Sequence, residues 1–448
     1  MFVCDLVAKR VIQRLSRFGC SGRLAQVLPL VVLLVGTAWL GPGCTTSPKR
    51  FVFDPAPAVA RLQAGGSIES EVDRLAQPLV QSGEIYGIAV GVLTPDGQTR
   101  TFSYGRTGTP GGVVQPQADT IFQIGSMSKV FVAALLAVLV DEGVLHYEDT
   151  VRSILPPEVR LSEDVGELTV YELVTSTGGF PREPFSLSQL RDFTTFVFTG
   201  RNLYAYFDKP YLYDYLRKKH LKPKEARGYY YSNIGFGLLS HMIEVKTGRS
   251  CQELLQEKIC RPLGLRDTTY VLDEGQKQRL AAGHVGVQPT FMRRGHPMEP
   301  WDMGEILGPP GCLYSTVNDL LIFAQASLGM LHHPLEPLLA DTQRVRVTTP
   351  EEDVGLGWIH NYIGDTRLHV TFKQGVMAGY TGYLGMDTEA HIAVVVLYNT
   401  FSWDEKVGHN LVLRLSRGLA PQSKGLSAKL SQDSAAPIRD GFRISSDD

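Results

Sequence analysis

The spacing of apolar and polar positions changes character along the chain. Residues 24–40 (LAQVLPLVVLLVGTAWL) are apolar without a period, and residues 45–66 read as a linker. Over 67–82 (SIESEVDRLAQPLVQS), Ile68, Val72, Leu75, Ala76 and Leu79 share one helical face, which predicts an amphipathic helix. Ser67 and Ser70 both suit its cap, and Pro78 marks a point of kinking or shortening. Residues 87–93 and 99–104 read as two strands joined through Pro95-Asp96-Gly97, a hairpin. From about residue 130 to 319 the patterns are mainly helical. Strand patterns return at 355–362, 367–372, 383–386 and 391–398, and a helix follows over 405–419. From Pro421 the chain is rich in Ser, Lys and Asp and poor in aromatics, so 421–448 is expected to be disordered.

Strands therefore come from both ends of the chain, with helices inserted between them. That order predicts an α+β fold: one antiparallel sheet of N- and C-terminal strands flanked by helices, plus a mainly helical lobe, with a cleft between the two. The expected organisation is an export signal over 1–44, a linker over 45–66, one folded domain over 67–420 and the tail.

Composition narrows the functions. Among 448 residues, Lys plus Arg number 44 and Asp plus Glu 46, so no bulk positive field exists to hold nucleic acid. Hydrophobic residues at 43% exclude disorder throughout, and the single long apolar run excludes a multi-span membrane protein. Six cysteines do not form a disulfide scaffold at this length. Cys251 and Cys260 bracket a helical pattern whose nine steps span roughly 13 Å, too far for a disulfide, and read as buried thiols. No metal-type Cys/His spacing and no HExxH occurs, and His332-His333 lies in a Pro-flanked loop, so neither metal nor cofactor is expected.

The amino-terminal segment carries Lys9, Arg10, Arg14, Arg17 and Arg23 ahead of the apolar run, which ends in Gly41-Pro42-Gly43-Cys44. A basic stretch, a short apolar stretch and small residues describe a secretory signal. The cysteine resembles the lipidated first residue of a bacterial lipoprotein, although Leu40 and Pro42 depart from that pattern. An uncleaved helical anchor or a plain signal are the alternatives. All three export the remainder, and the expected place is the bacterial cell envelope, as a membrane-anchored lipoprotein facing the periplasm or exterior.

The chemistry concentrates in three segments. Gly125-Ser126-Met127-Ser128-Lys129 runs into a helix apolar on every face (VFVAALLAVLVDEG). A lysine beside a serine hydroxyl in a dry site can be neutral and accept its proton, and a Ser126 amide in the first turn is free to donate to an oxyanion. A helix cap with a snorkelling lysine is the bland alternative. Gly228-Tyr229-Tyr230-Tyr231-Ser232-Asn233 leads into a second buried helical pattern, and Phe372-Lys373-Gln374-Gly375 closes a strand ahead of Val376. Lys246-Thr247-Gly248 closes a helix and reads as a stop signal.

Together the three segments resemble, in order, the Ser-x-x-Lys, Tyr-x-Asn and Lys-Thr-Gly motifs of the serine β-lactamase and penicillin-binding hydrolases: class C β-lactamases, D-alanyl-D-alanine carboxypeptidases and related esterases. Residues 168–181 (LTVYELVTSTGGFP) are similar to the family's LTVRHLLTHTSGLP segment. Pro262-Leu263-Gly264-Leu265, Gly311-Cys312-Leu313-Tyr314-Ser315-Thr316 and Gly355-Leu356-Gly357-Trp358 also match family segments. Gln374 and Ser176 depart from it, replacing a Thr or Gly and a His.

The resemblance implies Ser126 as nucleophile, with Lys129 and Tyr231 sharing the proton work. It implies Asn233, Lys373 and Gly375 at the substrate, and the amides of Ser126 and Val376 as the oxyanion hole. Lys373 suits a free carboxylate, as on a D-Ala-D-Ala peptide or a β-lactam. The implied partner is a small-molecule or peptidoglycan-peptide substrate, met by a monomer held at the membrane through its N terminus. An esterase of the same family is one alternative. A sensor that captures penicillin or wall peptide without turnover is another. The basic run over 217–227 reads as a solvated loop, and the aromatic stretch over 193–215 as core of the helical lobe or a lid.

Overall fold

The structure is a computed structural model. It describes residues 66–108, 114–183, 204, 207–287, 293–349, 352–362, 369–402, 405 and 407–419. The expected signal, the linker up to residue 65, and the tail lie outside the described residues.

The amphipathic helix forms as α1, Ile68–Gln81, and the choice of cap falls on Ser67, whose side chain accepts from the Ser70 amide. Pro78 does not shorten it. Two strands follow as a hairpin, β1 (Gly87–Leu93) and β2 (Thr99–Gly105). The buried helix after the serine forms as α2, Ser128–Asp141, with Ser128 to Leu139 all buried. The second buried helix is α3, Asn233–Thr247, capped by Ser232 and ended by Gly248 in the left-handed conformation, so the literal Lys-Thr-Gly is indeed a helix end. Helix α4, Val317–Ser327, follows, and a short helix over Glu336–Thr342 ends the helical region.

The C-terminal half of the sheet contributes β3 (Val347–Thr348), β4 (Asp353–Val354), β5 (Ile359–Tyr362), β6 (His369–Met377), β7 (Tyr380–Asp387) and β8 (Ile392–Tyr398), and α5 (Gly408–Leu419) ends the described chain. The eight strands lie in the order β2-β1-β8-β7-β6-β5-β4-β3, every neighbour antiparallel. The N-terminal hairpin thus completes a sheet begun by the C-terminal strands. Strands β1 and β8 are buried throughout. Their alternate residues face two cores. Ile88, Val90, Val92, Val394 and Val396 pack beneath α1 and α5, while Ala89, Leu93, Val395 and Leu397 join the core shared with α2 and α4. Helices therefore cover both faces, which explains strands read as unbroken apolar runs.

Boundaries differ from expectation around three turns or caps, and β7 starts at Tyr380 rather than 383. The strand expected over 355–362 is confined to β5, because Gly357 adopts φ +76° and residues 355–358 turn, the Gly355 amide donating to the Trp358 carbonyl. The strand expected to end at Gly375 continues to Met377, because a two-residue turn at Ala378-Gly379, with Gly379 at φ +74°, returns it as β7. The last helix begins at Gly408 rather than 405, since Glu405 is its cap: its carboxylate accepts from the amides of Val407, Gly408 and His409.

Two short ladders appear inside the helical stretch, Phe122–Gln123 with Tyr314–Ser315 and Gly283–His284 with Pro297–Met298. Cys251 and Cys260 are free and buried. Of the aromatic stretch, Phe207 is buried, and Tyr211, Tyr213 and Tyr215 pack against the core of the helical lobe; Phe196, Phe198 and Tyr206 lie outside the described residues. The basic run is solvated apart from Arg227, which is tucked beside Glu172 at 3.7 Å.

Candidate active site

The Ser126 turn is held from below and behind. Gly125–Met127 form a single 3-10 turn feeding α2. The preceding Phe122–Gln123 strand is pinned by its ladder and by Gln123, whose side chain exchanges hydrogen bonds with both backbone groups of Trp301. The buried Ser128 hydroxyl donates to the Gly125 carbonyl at 2.7 Å and accepts from the Leu313 amide at 3.2 Å. The turn also presses on β6. A methyl on Gly125 would lie 2.8 Å from the Val376 nitrogen, and one on Gly375 would run into the Ile124 carbonyl oxygen. Glycine at both places lets the turn and strand meet backbone to backbone, bringing the Val376 amide beside Ser126.

Tyr231 arrives from the helical lobe. Ser232 caps α3 and also donates to the Pro181 carbonyl at 2.8 Å, while the Asn233 amide donates to the Arg182 carbonyl at 3.0 Å. Ser176, where the resemblance implies histidine, sits at φ +57° and accepts the Tyr230 amide on its carbonyl at 2.9 Å. That role is a backbone one, so the substitution leaves the anchor in place.

These anchors converge on one oxygen. Ser126 Oγ accepts from Lys129 Nζ at 3.0 Å and from the Tyr231 hydroxyl at 2.7 Å. Lys129 Nζ also donates to the Pro310 carbonyl at 3.3 Å. The Tyr231 ring is surrounded by cations: Lys373 Nζ stands 4.9 Å from its centroid, Lys129 Nζ 5.1 Å and the Arg182 guanidinium 5.1 Å.

Both lysines are almost fully buried, at 2% and 3% exposure. Burial pushes the Lys129 ammonium down to about 7, with repulsion from Arg182 adding to it and the Glu183 carboxylate opposing it. Burial likewise pushes Lys373 down to about 8, partly offset by the Tyr231 side chain. A small void beside Lys373 is lined by Ser176, Tyr229, Tyr231 and Trp358.

Every site residue picked from sequence in the three motifs is thus in one place; Cys44 lies outside the described residues. Two neighbours escaped the sequence reading. Glu183 accepts from the Asn233 side-chain amide and from the Tyr204 hydroxyl at 3.2 Å, and burial holds its carboxyl above the usual range. Arg182 lies over Tyr231. Their signal was position: two opposite charges directly after the Gly-Gly-Phe-Pro that ends a family-like segment.

Comparison with known proteins agrees with the geometry. The chain is 27% identical over 342 residues to the D-alanyl-D-alanine-carboxypeptidase/endopeptidase AmpH of Escherichia coli (strain K12), covering 73% of this chain and 82% of that one. It is 26% identical over 301 residues to a beta-lactamase of Pseudomonas fluorescens, covering 65% and 74%. Among solved structures, a class C beta-lactamase superposes with a TM-score of 0.66 at 20% identity, covering 80% of this chain and 97% of that one. A beta-lactamase/D-alanine carboxypeptidase from Pseudomonas syringae gives 0.63 at 19%, covering 79% and 98%. These two structures speak for the fold. The sequence model of the Beta-lactamase family matches residues 72–418, and the chain belongs to that family of serine β-lactamases and penicillin-binding-protein-like hydrolases.

Proposed function

We propose that the protein is a serine hydrolase that cleaves carboxylated amides, D-Ala-D-Ala peptides or β-lactams, through an acyl-enzyme on Ser126. The observation that carries this is the pair of contacts on Ser126 Oγ, from Lys129 Nζ at 3.0 Å and the Tyr231 hydroxyl at 2.7 Å. Near pH 7 about half of a lysine titrating at about 7 is neutral. A neutral Lys129 reverses its contact and takes the Ser126 proton as Oγ attacks the carbonyl carbon. The new oxyanion accepts from the Ser126 and Val376 amides. As the C–N bond breaks, Tyr231 gives its proton to the leaving nitrogen and is reprotonated from Lys129. Water then attacks the ester by the reverse relay and frees Ser126. Lys373 and Asn233 hold the carboxylate and the acyl amide, and Gly375 keeps the strand that borders the substrate against the Ser126 turn.

The position of Lys373 favours carboxylated substrates over the plain esters an esterase would prefer. A fluorescent penicillin is expected to label the wild type and not Ser126→Ala. Wild-type protein that neither labels nor turns over any ester, amide or lactam would sink the reading. Faster turnover of p-nitrophenyl esters than of nitrocefin or a D-Ala-D-Ala peptide would shift it to an esterase.

A further inference from the structure

The helical wall of the site carries two acceptors that the protein leaves unanswered. Glu183 Oε2 and Asn233 Oδ1 are both shut from solvent, and neither has a hydrogen-bond partner among the described residues. They are neighbours, because Asn233 Nδ2 donates to the other oxygen of the same carboxylate. Tyr204 holds that oxygen too, with its ring edge-on to Trp301 at 5.6 Å between centroids. Both orphan atoms accept, so a single group that completes the pair donates twice. A neutral substrate amide has one N–H and can answer only one of them. An ammonium has three donors, and its charge matches the carboxylate. Arg182 and Lys129 lend Glu183 positive potential, yet neither hydrogen-bonds Oε2.

We propose that Glu183 and Asn233 form a cation subsite that selects substrates bearing an ammonium on the acyl side of the scissile bond. This deepens, and rests on, the hydrolase reading above. The site then has two poles. Lys373, from the sheet wall, meets the carboxylate, and Glu183, from the helical wall, meets the ammonium. The preferred substrate is a zwitterion, such as a short peptide with a free amine upstream of a carboxyl-terminal D-amino acid. Glu183 touches substrate without taking part in bond making, so it sets specificity rather than chemistry.

The test uses two probes that share a lactam and a carboxylate and differ by one amine: ampicillin, which carries an α-ammonium, and benzylpenicillin, which does not. Second-order acylation rates are followed by intact mass spectrometry on the full chain. The wild type is expected to favour ampicillin by about tenfold or more, the size of one charge-assisted hydrogen bond. Glu183→Gln should bring the ratio to about one, and Glu183→Asp, which keeps the charge, should retain a preference. A wild-type ratio near one, or a preference that survives in Glu183→Gln, overturns the subsite while leaving the hydrolase intact. Acylation by neither penicillin overturns the subsite, and if no ester, amide or lactam is turned over either, the hydrolase reading falls with it.

Discussion

Ser126 is surrounded by amines whose protonation sets what the site can do. Lys129, lowered to about 7 by burial, must be neutral to accept a proton, so acylation should rise with pH through about 7. Lys373, lowered to about 8, must be charged to hold a carboxylate, so kcat/KM for carboxylated substrates should fall again above about 8. A stopped-flow pH series on nitrocefin is expected to give this narrow bell. Neutral esters should show the rising limb alone, and Lys373→Ala should remove the falling limb from nitrocefin. A profile that falls as pH rises through 7 contradicts Lys129 as base. Lys129→Ala and Tyr231→Phe should each slow acylation by about 100- to 10,000-fold. The motif residues were legible because each motif combines an unusual pair of residue types with a helix start or strand. Arg182 and Glu183 were not, because a charged pair after a proline carries no period and looks like any solvated turn.

At the scale of elements, the decisive contact is between the Ser126 turn and β6. Gly375 sits where a side chain would strike the Ile124 carbonyl oxygen. Gly375→Ala should part the strand from the turn, widen the gap between the Ser126 and Val376 amides, and lower kcat by at least about tenfold, with a stability loss of about 1–3 kcal/mol. Steady-state kinetics beside a urea melt separates the two effects. A second joint is the cap of α5. Glu405 accepts from three backbone amides and from the Tyr398 hydroxyl at 2.7 Å, in a half-buried position. Glu405→Ala should cost about 1–3 kcal/mol in the same melt while leaving KM unchanged. The apolar periods gave these helices and strands their places. They missed the boundaries at 355–358 and 375–377, since those depend on left-handed glycines that the patterns do not reveal, and at 405, where a cap looks like a first turn.

Across the whole molecule, the two ends of the described domain meet. Strand β1 lies between β2 and β8, and Arg414 of α5 pairs with Glu71 of α1 at 3.2 Å in the second core. The domain should therefore tolerate loss of its flanks but not of either terminal element. A chain spanning residues 66–420 is expected to fold and accept a fluorescent penicillin, whereas one ending at residue 407 should be insoluble; retained labelling in the shorter chain would contradict the role given to α5. Export remains our proposal from the first 44 residues: in a bacterial host, full-length protein should fractionate with membranes and incorporate labelled palmitate, and Cys44→Ser should abolish the label. The α+β order was readable because strands bracket the helices in sequence. Which strands become neighbours was not, since pairing β1 with β8 depends on contacts some three hundred residues apart.

The most direct measurement is intact mass spectrometry over time after one dose of penicillin, on wild type and Ser126→Ala. The account predicts one penicilloyl adduct on the wild type, mapping to Ser126 by peptide digestion and decaying as free enzyme returns, and none on the variant. An adduct of equal occupancy on Ser126→Ala, or no adduct and no penicillin consumed, would contradict it.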